Sequence, residues 1–174
     1  MIINRSDSLI YYPFEGNVND FSGNSNNGTV NGTDTYVDSI SGKAFDFDGS
    51  TQIDTGVSSM GTGSFSILLR GSFDMFTSNR RFISKQQPGD SGGWLLFYNN
   101  AVGQLRLSVY LSGAYVTCDV SVSSSTIYAV YAYFDSANEI GLQVYQTDGT
   151  LTTNTTSTAV ASYTDAGRNI AIGS

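Results

Sequence analysis

Histidine is absent from this chain of 174 residues, and cysteine occurs once, at Cys118. A single cysteine excludes an intrachain disulfide. Without histidine, and with only one cysteine, the usual zinc sites are excluded as well. The lone cysteine alternates with valines in VTCDVSV, which indicates a small buried apolar residue rather than a reactive thiol.

Positive charge is also scarce. The chain has 8 lysines and arginines against 15 aspartates and glutamates, a net charge of −7, and only 13% charged residues. Arg80 and Arg81 are the one basic pair, and we interpret them as part of a solvated loop. Duplex nucleic acid is therefore not expected as a partner, because phosphate binding needs concentrated positive charge.

Long apolar runs are missing too. The opening MIINRSDSLIYY lacks a basic region followed by an apolar run, so it does not have the form of a signal peptide. No apolar segment approaches the roughly 18 residues of a membrane span. We therefore expect neither export by the general route nor a membrane partner.

The stretch PGDSGG, residues 88–93, has the form found around the nucleophilic serine of trypsin-like proteases. A serine hydroxyl is a weak nucleophile until a neighbouring base takes its proton, and in those enzymes the base is histidine. Because the chain has no histidine, Ser91 is not expected to cut peptide bonds. We interpret PGDSGG as a polar turn between two apolar runs.

Apolar and polar residues alternate along most of the chain, which is the pattern of half-buried β-strands. In QLRLSVYL, the four residues Leu105, Leu107, Val109 and Leu111 fall on one face. The stretch GGWLLFYN is apolar on both faces, as a central strand would be. The same pattern predicts strands in SFSILLRGSF, YVTCDVSV, IYAVYAYF, IGLQVYQT and NIAIGS. No window has a convincing helical period, so the chain is expected to be all-β.

Two N-terminal motifs carry a family resemblance. LIYYPFEGNVNDFSGNSNNGTVNG, residues 9–32, and KAFDFDGSTQIDTG, residues 43–56, resemble the start of laminin-G-like domains of the concanavalin A-like lectin and glucanase superfamily. The later strands follow in the order of such domains, so the resemblance covers nearly the whole chain. It implies one domain over residues 1–174, an antiparallel jelly-roll β-sandwich. In that fold LIYYPF is the first strand, and Phe45 and Phe47 enter the core.

The resemblance also implies an open sheet edge. Domains of this kind continue with a final strand beside LIYYPF, and this sequence stops at Ser174 without one. An uncovered edge is a template for strand addition and is rarely left open. We therefore expect an oligomer, or an assembly with other virion or surface proteins, in which a neighbour covers the edge.

Calcium is one candidate ligand. The stretch NDFSGNSNN offers oxygen ligands from Asp20, Asn24 and Asn26, with Ser22 and Asn27 beside them. Calcium takes six to eight oxygens from carboxylates, amides and carbonyls, but the acidic residue that ends an EF-hand loop is missing here. The alternative is a turn whose side chains cap its own backbone.

A glycan is the other candidate ligand. Tyr110, Tyr115 and Tyr145 fall on the polar sides of their predicted strands and could present aromatic faces to sugars. The alternative is that they pack across strands on a half-exposed sheet.

Enzymatic activity is not expected. Glucan-hydrolysing relatives in the superfamily carry an E-x-D-x-E strand, whereas only Glu15 and Glu139 occur here, far apart in the sequence. Asp46 and Asp48 would lie about 7 Å apart on one strand face, which is within the broad range of inverting glycosidases. Their F-D-G stretch, however, resembles that of non-catalytic members.

The resulting hypothesis is a structural or adhesive module of a virion, such as a phage head fibre, capsid decoration or tail-associated protein, with glycan binding as an added role. A start without an export signal, a low-charge β chain rich in Gly, Ser, Thr and Asn, and the unfinished edge favour it. The alternative is a glycan-binding module of a larger secreted bacterial surface protein or glycoside hydrolase, which would place the chain outside the cell or at its surface.

Overall fold

The computed structural model describes residues 8–72, 78–87, 89–111, 113–122, 127–136, 139–157 and 162–173. These residues form thirteen β-strands and no helix, and so contain no helix that could cross a membrane. The strands are β1 Thr29–Asn31, β2 Tyr36–Asp38, β3 Lys43–Phe45, β4 Gln52–Asp54, β5 Phe65–Ser72, β6 Arg80–Ser84, β7 Trp94–Asn99, β8 Gln104–Leu111, β9 Ala114–Ser121, β10 Ile127–Asp135, β11 Glu139–Tyr145, β12 Leu151–Ser157 and β13 Ala171–Ile172.

The strands form two main antiparallel sheets. One has seven strands in the order β1-β4-β13-β6-β7-β8-β9, and the other has four in the order β12-β11-β10-β5. A separate hairpin pairs β2 with β3. The chain is thus an antiparallel jelly-roll β-sandwich, and the all-β prediction is confirmed.

Alternating side chains of both sheets build one core. Leu105, Leu107 and Val109 of β8 are fully buried, as the alternation predicts, and so are Ile140 and Leu142 of β11. Such side chains are each worth roughly 1.5–3 kcal/mol when removed from water. The core is continuous from one sheet to the other, and the remaining positions of each strand form the two outer faces.

Several local predictions are confirmed. The PGDSGG stretch lies between β6 and β7, as a turn should, although Pro88 itself is outside the described residues. β7 is a central strand between β6 and β8. Cys118 is 1% exposed, and its thiol donates to the backbone oxygen of Asn154 at 3.1 Å. The strand predicted in SFSILLRGSF is β5, and Phe73 lies outside the described residues.

The prediction that LIYYPF forms the first strand is wrong. The described residues contain no strand before β1. The backbone of residues 8–11 bonds mostly to side chains of the following loop, with one backbone bond from Phe21 N to Tyr11 O at 2.8 Å. Pro13 has no N–H for a ladder, and Phe14 has a positive φ of 61°, a backbone conformation that no regular strand contains. Phe14 packs against Phe45 and Phe47 in an aromatic cluster at this end of the molecule.

The two lateral edges of the sandwich differ. At one edge, side chains of β12 bridge to the backbone of β9: the Asn154 amide donates to Asp119 O at 2.8 Å, and the Thr156 hydroxyl donates to Thr117 O at 2.8 Å. At the other edge, β5 pairs with β10 alone among the described residues. Among the described strands, β5 is therefore one edge strand and β1, which pairs with β4 alone, is another, whereas the N-terminal segment is not a strand.

Candidate functional site

The outer face of the four-stranded sheet carries tyrosine side chains on the two neighbouring strands β10 and β11. Val130, Ala132 and Phe134 of β10 point into the core, so Tyr131 and Tyr133 point outward. Their rings lie 5.5 Å apart and are inclined by 31°. Tyr145 of β11 is on the same outer face and is 43% exposed. We call Tyr131, Tyr133 and Tyr145 the tyrosine platform.

A glycine lets the ring of Tyr133 lie across the neighbouring strand. Tyr133 pairs directly with Gly141 of β11. A Cβ built on Gly141 would lie 2.4 Å from the Tyr133 ring, which is closer than any real contact. Glycine is therefore required here because the ring occupies the space of its side chain. The ring consequently covers β11 and presents one face outward.

Hydrogen bonds orient two of the three phenols of the platform. The Tyr133 hydroxyl donates to Glu139 Oε1 at 2.6 Å, and the Tyr145 hydroxyl donates to Gln143 Oε1 at 3.2 Å. The bond to Glu139, with partial burial and the charge of Glu139, raises the pKa of Tyr133 to about 12. Tyr133 therefore stays a neutral, oriented ring throughout the pH range of ordinary biology.

Polar groups surround the rings. Tyr131 pairs with Leu68 of β5 and Gln143 of β11, and Ser66 pairs with Tyr133. Beside Tyr131 and Tyr133 is an open depression of about 420 Å³. Its other lining residues are Ser64, Phe65, Ser66, Phe134 and Asp135. Hydroxyls and a carboxylate thus stand next to an aromatic surface, an arrangement suited to a ligand with both polar and apolar faces.

The structure separates the tyrosines predicted as ligand contacts. Tyr145 belongs to the platform, but Tyr110 and Tyr115 are on the outer face of the seven-stranded sheet, where they pair directly across β8 and β9. Their rings meet edge to face at 4.9 Å. The Tyr115 hydroxyl bonds to Asp90 O at 3.2 Å and Gly92 O at 3.3 Å, so this ring also holds the β6–β7 loop.

The loop predicted to bind calcium bonds to its own chain. Asp20 accepts hydrogen bonds from the backbone N–H groups of Tyr11, Ser22 and Asn26, each at 2.9 Å, and from the Ser22 hydroxyl at 2.8 Å. Partial burial alone would raise the pKa of Asp20, but these bonds lower it. The amides of Asn24 and Asn26 both donate to the backbone oxygen of Leu9.

These contacts match the alternative of a side-chain-capped loop. N–H and O–H donors, not free oxygens, surround the Asp20 carboxylate, and a calcium ion would have to displace them. The described ranges also contain no group of three or more Cys, Asp or Glu placed to hold a metal ion. Calcium binding stays a prediction.

The sequence pattern did not single out Tyr131, Tyr133 and Gly141, which the structure brings together in the tyrosine platform and beneath it. The alternation in IYAVYAYF already puts Tyr131 and Tyr133 on one face of a strand. The missing information was the register that sets Tyr133 opposite Gly141. A glycine inside an otherwise apolar strand, in EIGLQVY, was the available signal, because such a glycine often marks a close approach by another group.

No protein-family model and no curated protein matches the chain. Solved structures do match in fold. Domain 4 of AbnA, a GH43 extracellular arabinanase from Geobacillus stearothermophilus solved with arabinotriose, is similar with a TM-score of 0.68 and 18% identity, over 90% of this chain and 77% of that one.

Two botulinum neurotoxin domains are also similar. The serotype D ligand-binding domain, solved with N-acetylneuraminic acid, has a TM-score of 0.62 and 14% identity over 88% of this chain. The binding domain of neurotoxin DC, solved with rat synaptotagmin II, has a TM-score of 0.63 and 13% identity over 97%. The chain spans only 39% and 44% of those two chains. At these identities the likeness establishes the β-sandwich fold.

Proposed function

We propose that the chain is a non-enzymatic glycan-binding module whose tyrosine platform stacks against a sugar ring. The observation that carries this is the ring of Tyr133 held across Gly141, with its hydroxyl bonded to Glu139. A pyranose has a C–H face that packs on an aromatic ring, and its hydroxyls need polar partners at the margin. Gln143, Glu139 and Ser66 provide such partners beside the rings.

The solved relatives support a glycan as the ligand. The arabinanase domain and the serotype D toxin domain were each solved with a saccharide, arabinotriose and N-acetylneuraminic acid. Such sandwiches serve many functions, so the particular sugar must follow from the platform itself. The carboxylates of Glu139 and Asp135 lie beside the rings of Tyr131 and Tyr133, and Arg70 is in the row of Tyr145. The acidic margin beside Tyr131 and Tyr133 disfavours an anionic sugar there, so we propose an uncharged saccharide.

Asp46 and Asp48 both follow β3, which ends at Phe45, so they do not share a strand face as the sequence predicted. Asp48 accepts hydrogen bonds from Ser50 N and Thr51 N, each at 2.8 Å, and from the Ser50 hydroxyl at 2.9 Å. The bonds from Ser50, followed by those from Thr51, lower its pKa to about 2. A carboxyl that stays ionised cannot serve as a general acid near neutral pH, and Asp48 acts instead as a turn cap.

The test is a screen of the full chain on neutral oligosaccharides, including arabinan and β-glucan fragments, followed by calorimetry on the best ligand. Tyr131→Ala and Tyr133→Ala should each weaken binding roughly 2- to 10-fold, since contact with an aromatic ring contributes on the order of 0.5–1.5 kcal/mol beyond the buried area. Tyr115→Ala, on the other sheet, is the matched control. Equal losses from all three variants, or release of new reducing ends, would contradict the proposal.

We further propose a virion location, with the cell surface as the rival. The low-charge β-sandwich and the open β5 edge favour an assembled particle, in which a strand from another virion or surface protein would pair with β5. Density-gradient fractionation of the producing cells tests the location. Peptides of this chain should be found in the fractions that contain virus particles, and their presence only in cell-envelope fractions would favour the cell surface. Light scattering tests the partner: a stable monomer with no tendency to associate would count against strand addition.

A further inference from the structure

The three residues of the tyrosine platform follow one another along the strands of the four-stranded sheet. Tyr133 and Tyr131 are two positions apart on β10, and their rings are 5.5 Å apart. Tyr145 of β11 pairs with Ala129, which is two positions beyond Tyr131. Tyr145 is therefore the diagonal neighbour of Tyr131, a relation that spans about 7–8 Å. The order along the sheet is Tyr133, Tyr131, Tyr145.

The platform is longer than one sugar ring. The Tyr133 ring lies across Gly141, so its end of the platform is over β11. Gly141 and Tyr145 are four positions apart on β11, which corresponds to about 13 Å. The 5.5 Å between the rings of Tyr131 and Tyr133 is close to the length that one unit adds to an extended β-1,4-linked sugar chain. Successive sugar units can therefore meet successive rings.

Short hydroxyl side chains lie on both sides of the rings. β5 contributes Ser66, which pairs with Tyr133. β12 contributes Thr155 and Thr153, which lie in the rows of Tyr133 and Tyr131. All three side chains are exposed. A hydroxyl both donates and accepts hydrogen bonds, as the hydroxyls along the two margins of a sugar chain require.

The middle of the platform carries no charged side chain. On the outer face, the rows of Tyr133 and Tyr131 consist of Ser66, Tyr133, Gly141 and Thr155 and of Leu68, Tyr131, Gln143 and Thr153. The Gln143 amide oxygen accepts the Tyr145 hydroxyl at 3.2 Å, and its amide nitrogen has N–H donors for a sugar hydroxyl. The carboxylates of Asp135 and Glu139 are in the row beyond Tyr133, at the end of the platform. The middle therefore suits neutral sugar units.

We propose that the tyrosine platform binds three consecutive units of an extended, neutral β-1,4-linked polysaccharide, with one sugar ring against each of Tyr133, Tyr131 and Tyr145. This inference rests on the glycan-binding function proposed above and assigns its ligand class. In a β-1,4-linked chain of pyranoses the successive rings extend in one direction, whereas α-1,4 linkages coil the chain. Only an extended chain can meet three side chains that follow one another along a sheet.

The test is calorimetry of the full chain, with NMR titration for weak ligands, on cellotetraose, xylotetraose and mannotetraose. Maltotetraose is the matched control because it has the glucose units of cellotetraose in α-1,4 linkage. At least one β-1,4-linked tetraose should bind. Maltotetraose should bind roughly 5- to 100-fold more weakly than that ligand, because a coiled chain contacts one ring instead of three. Equal binding of maltotetraose, or no binding by any β-1,4-linked tetraose, would overturn the inference.

Tyr145→Ala tests the third contact in the series of the best ligand. It should weaken binding of the triose roughly 2- to 10-fold and change binding of the biose less than about 2-fold, because a disaccharide occupies Tyr133 and Tyr131 alone. Tyr145→Phe keeps the ring and is the control, so it should change binding of the triose less than about 2-fold. Equal losses for biose and triose in Tyr145→Ala would contradict a site for three units.

Failure of this inference can be told apart from failure of the proposed function. If another neutral oligosaccharide binds, and Tyr133→Ala weakens its binding, the glycan-binding function stands and only the β-1,4-linked class is rejected. If no neutral oligosaccharide binds, both are rejected.

Discussion

The two outer faces of the sandwich hold their side chains in different ways. On the four-stranded sheet, packing sets the geometry, because the Tyr133 ring fills the space that Gly141 leaves empty. On the seven-stranded sheet, charge sets the geometry, through the Arg106–Asp119 pair and the Arg168–Asp90 pair. A change of volume should therefore disturb the first face and a change of charge the second.

The largest expected effect comes from the rim of the seven-stranded sheet. Lys85, directly after β6, is fully buried, and its ammonium donates to Asp165 and to the backbone oxygens of Ser58 and Arg168. Asp165→Asn leaves this buried cation without a counter-charge and should cost about 3–5 kcal/mol of unfolding free energy. Urea denaturation measures it. Asp38→Asn, in the exposed pair with Lys43, is the control and should leave the midpoint unchanged.

The next effect belongs to the four-stranded sheet. Gly141→Ala forces its Cβ against the Tyr133 ring and should cost about 1–3 kcal/mol as overpacking. It should also displace the ring and weaken binding of the neutral sugar. Gly71→Ala in β5 of the same sheet is the matched control, because nothing lies within 4 Å of its Cβ position. If both substitutions behaved alike, Gly141 would have no special role in placing the ring.

A smaller effect is expected from Asp20, which belongs to neither outer face. Hydrogen bonds lower the pKa of Asp20 in the folded state. The ionised carboxylate therefore stabilises the fold at pH values above the ordinary carboxyl pKa, and this stabilisation is lost as the pH falls through the pKa of the folded state. In a plot of melting temperature against pH, Asp20→Asn should therefore reduce the fall on the acid side. It should leave sugar binding by the proposed tyrosine platform unchanged.

Excess chelator separates the two interpretations of the Asp20 loop. If side chains alone cap it, the melting temperature should not change when EDTA is added. A clear decrease that added calcium reverses would instead support a bound ion, and Asp20→Asn should then abolish that dependence.

The smallest effect is a shift in one titration. Tyr133, with a pKa of about 12, stabilises the fold while neutral, and this contribution is lost as the pH rises through that value. Glu139→Gln removes the carboxylate that raises it, so one tyrosine should ionise closer to the ordinary pKa of about 10. Absorbance near 295 nm follows this tyrosine ionisation, and the Tyr133→Phe variant assigns the signal to Tyr133. An unchanged curve would mean that Glu139 does not hold the Tyr133 phenol.

Sequence alone predicted the strands with the strongest alternation. β8, β9, β10 and β11 have a side-chain period of two with strongly apolar inner faces, and β7 is apolar on both faces; a period of two specifies which face of a strand is buried. The jelly-roll arrangement was implied by the resemblance of the two N-terminal motifs to laminin-G-like domains, not by the alternation itself. The prediction of an N-terminal strand was wrong because it rested on the apolar composition of LIYYPF. Pro13 cannot donate to a ladder, and the segment bonds mainly to side chains of residues 20–26, which composition does not reveal.

The amino-acid sequence by itself determined the all-β fold and its core, because alternation is local and one face must leave water. Which side chains meet on the outer faces was decided only by the tertiary structure. Tyr133 meets Gly141, and Arg81 meets Phe97, through strand registers that connect distant or bulged segments. Side chains on the outer faces are not buried, so no apolar pattern in the sequence predicts which of them are neighbours. The strand register alone determines which side chains meet there.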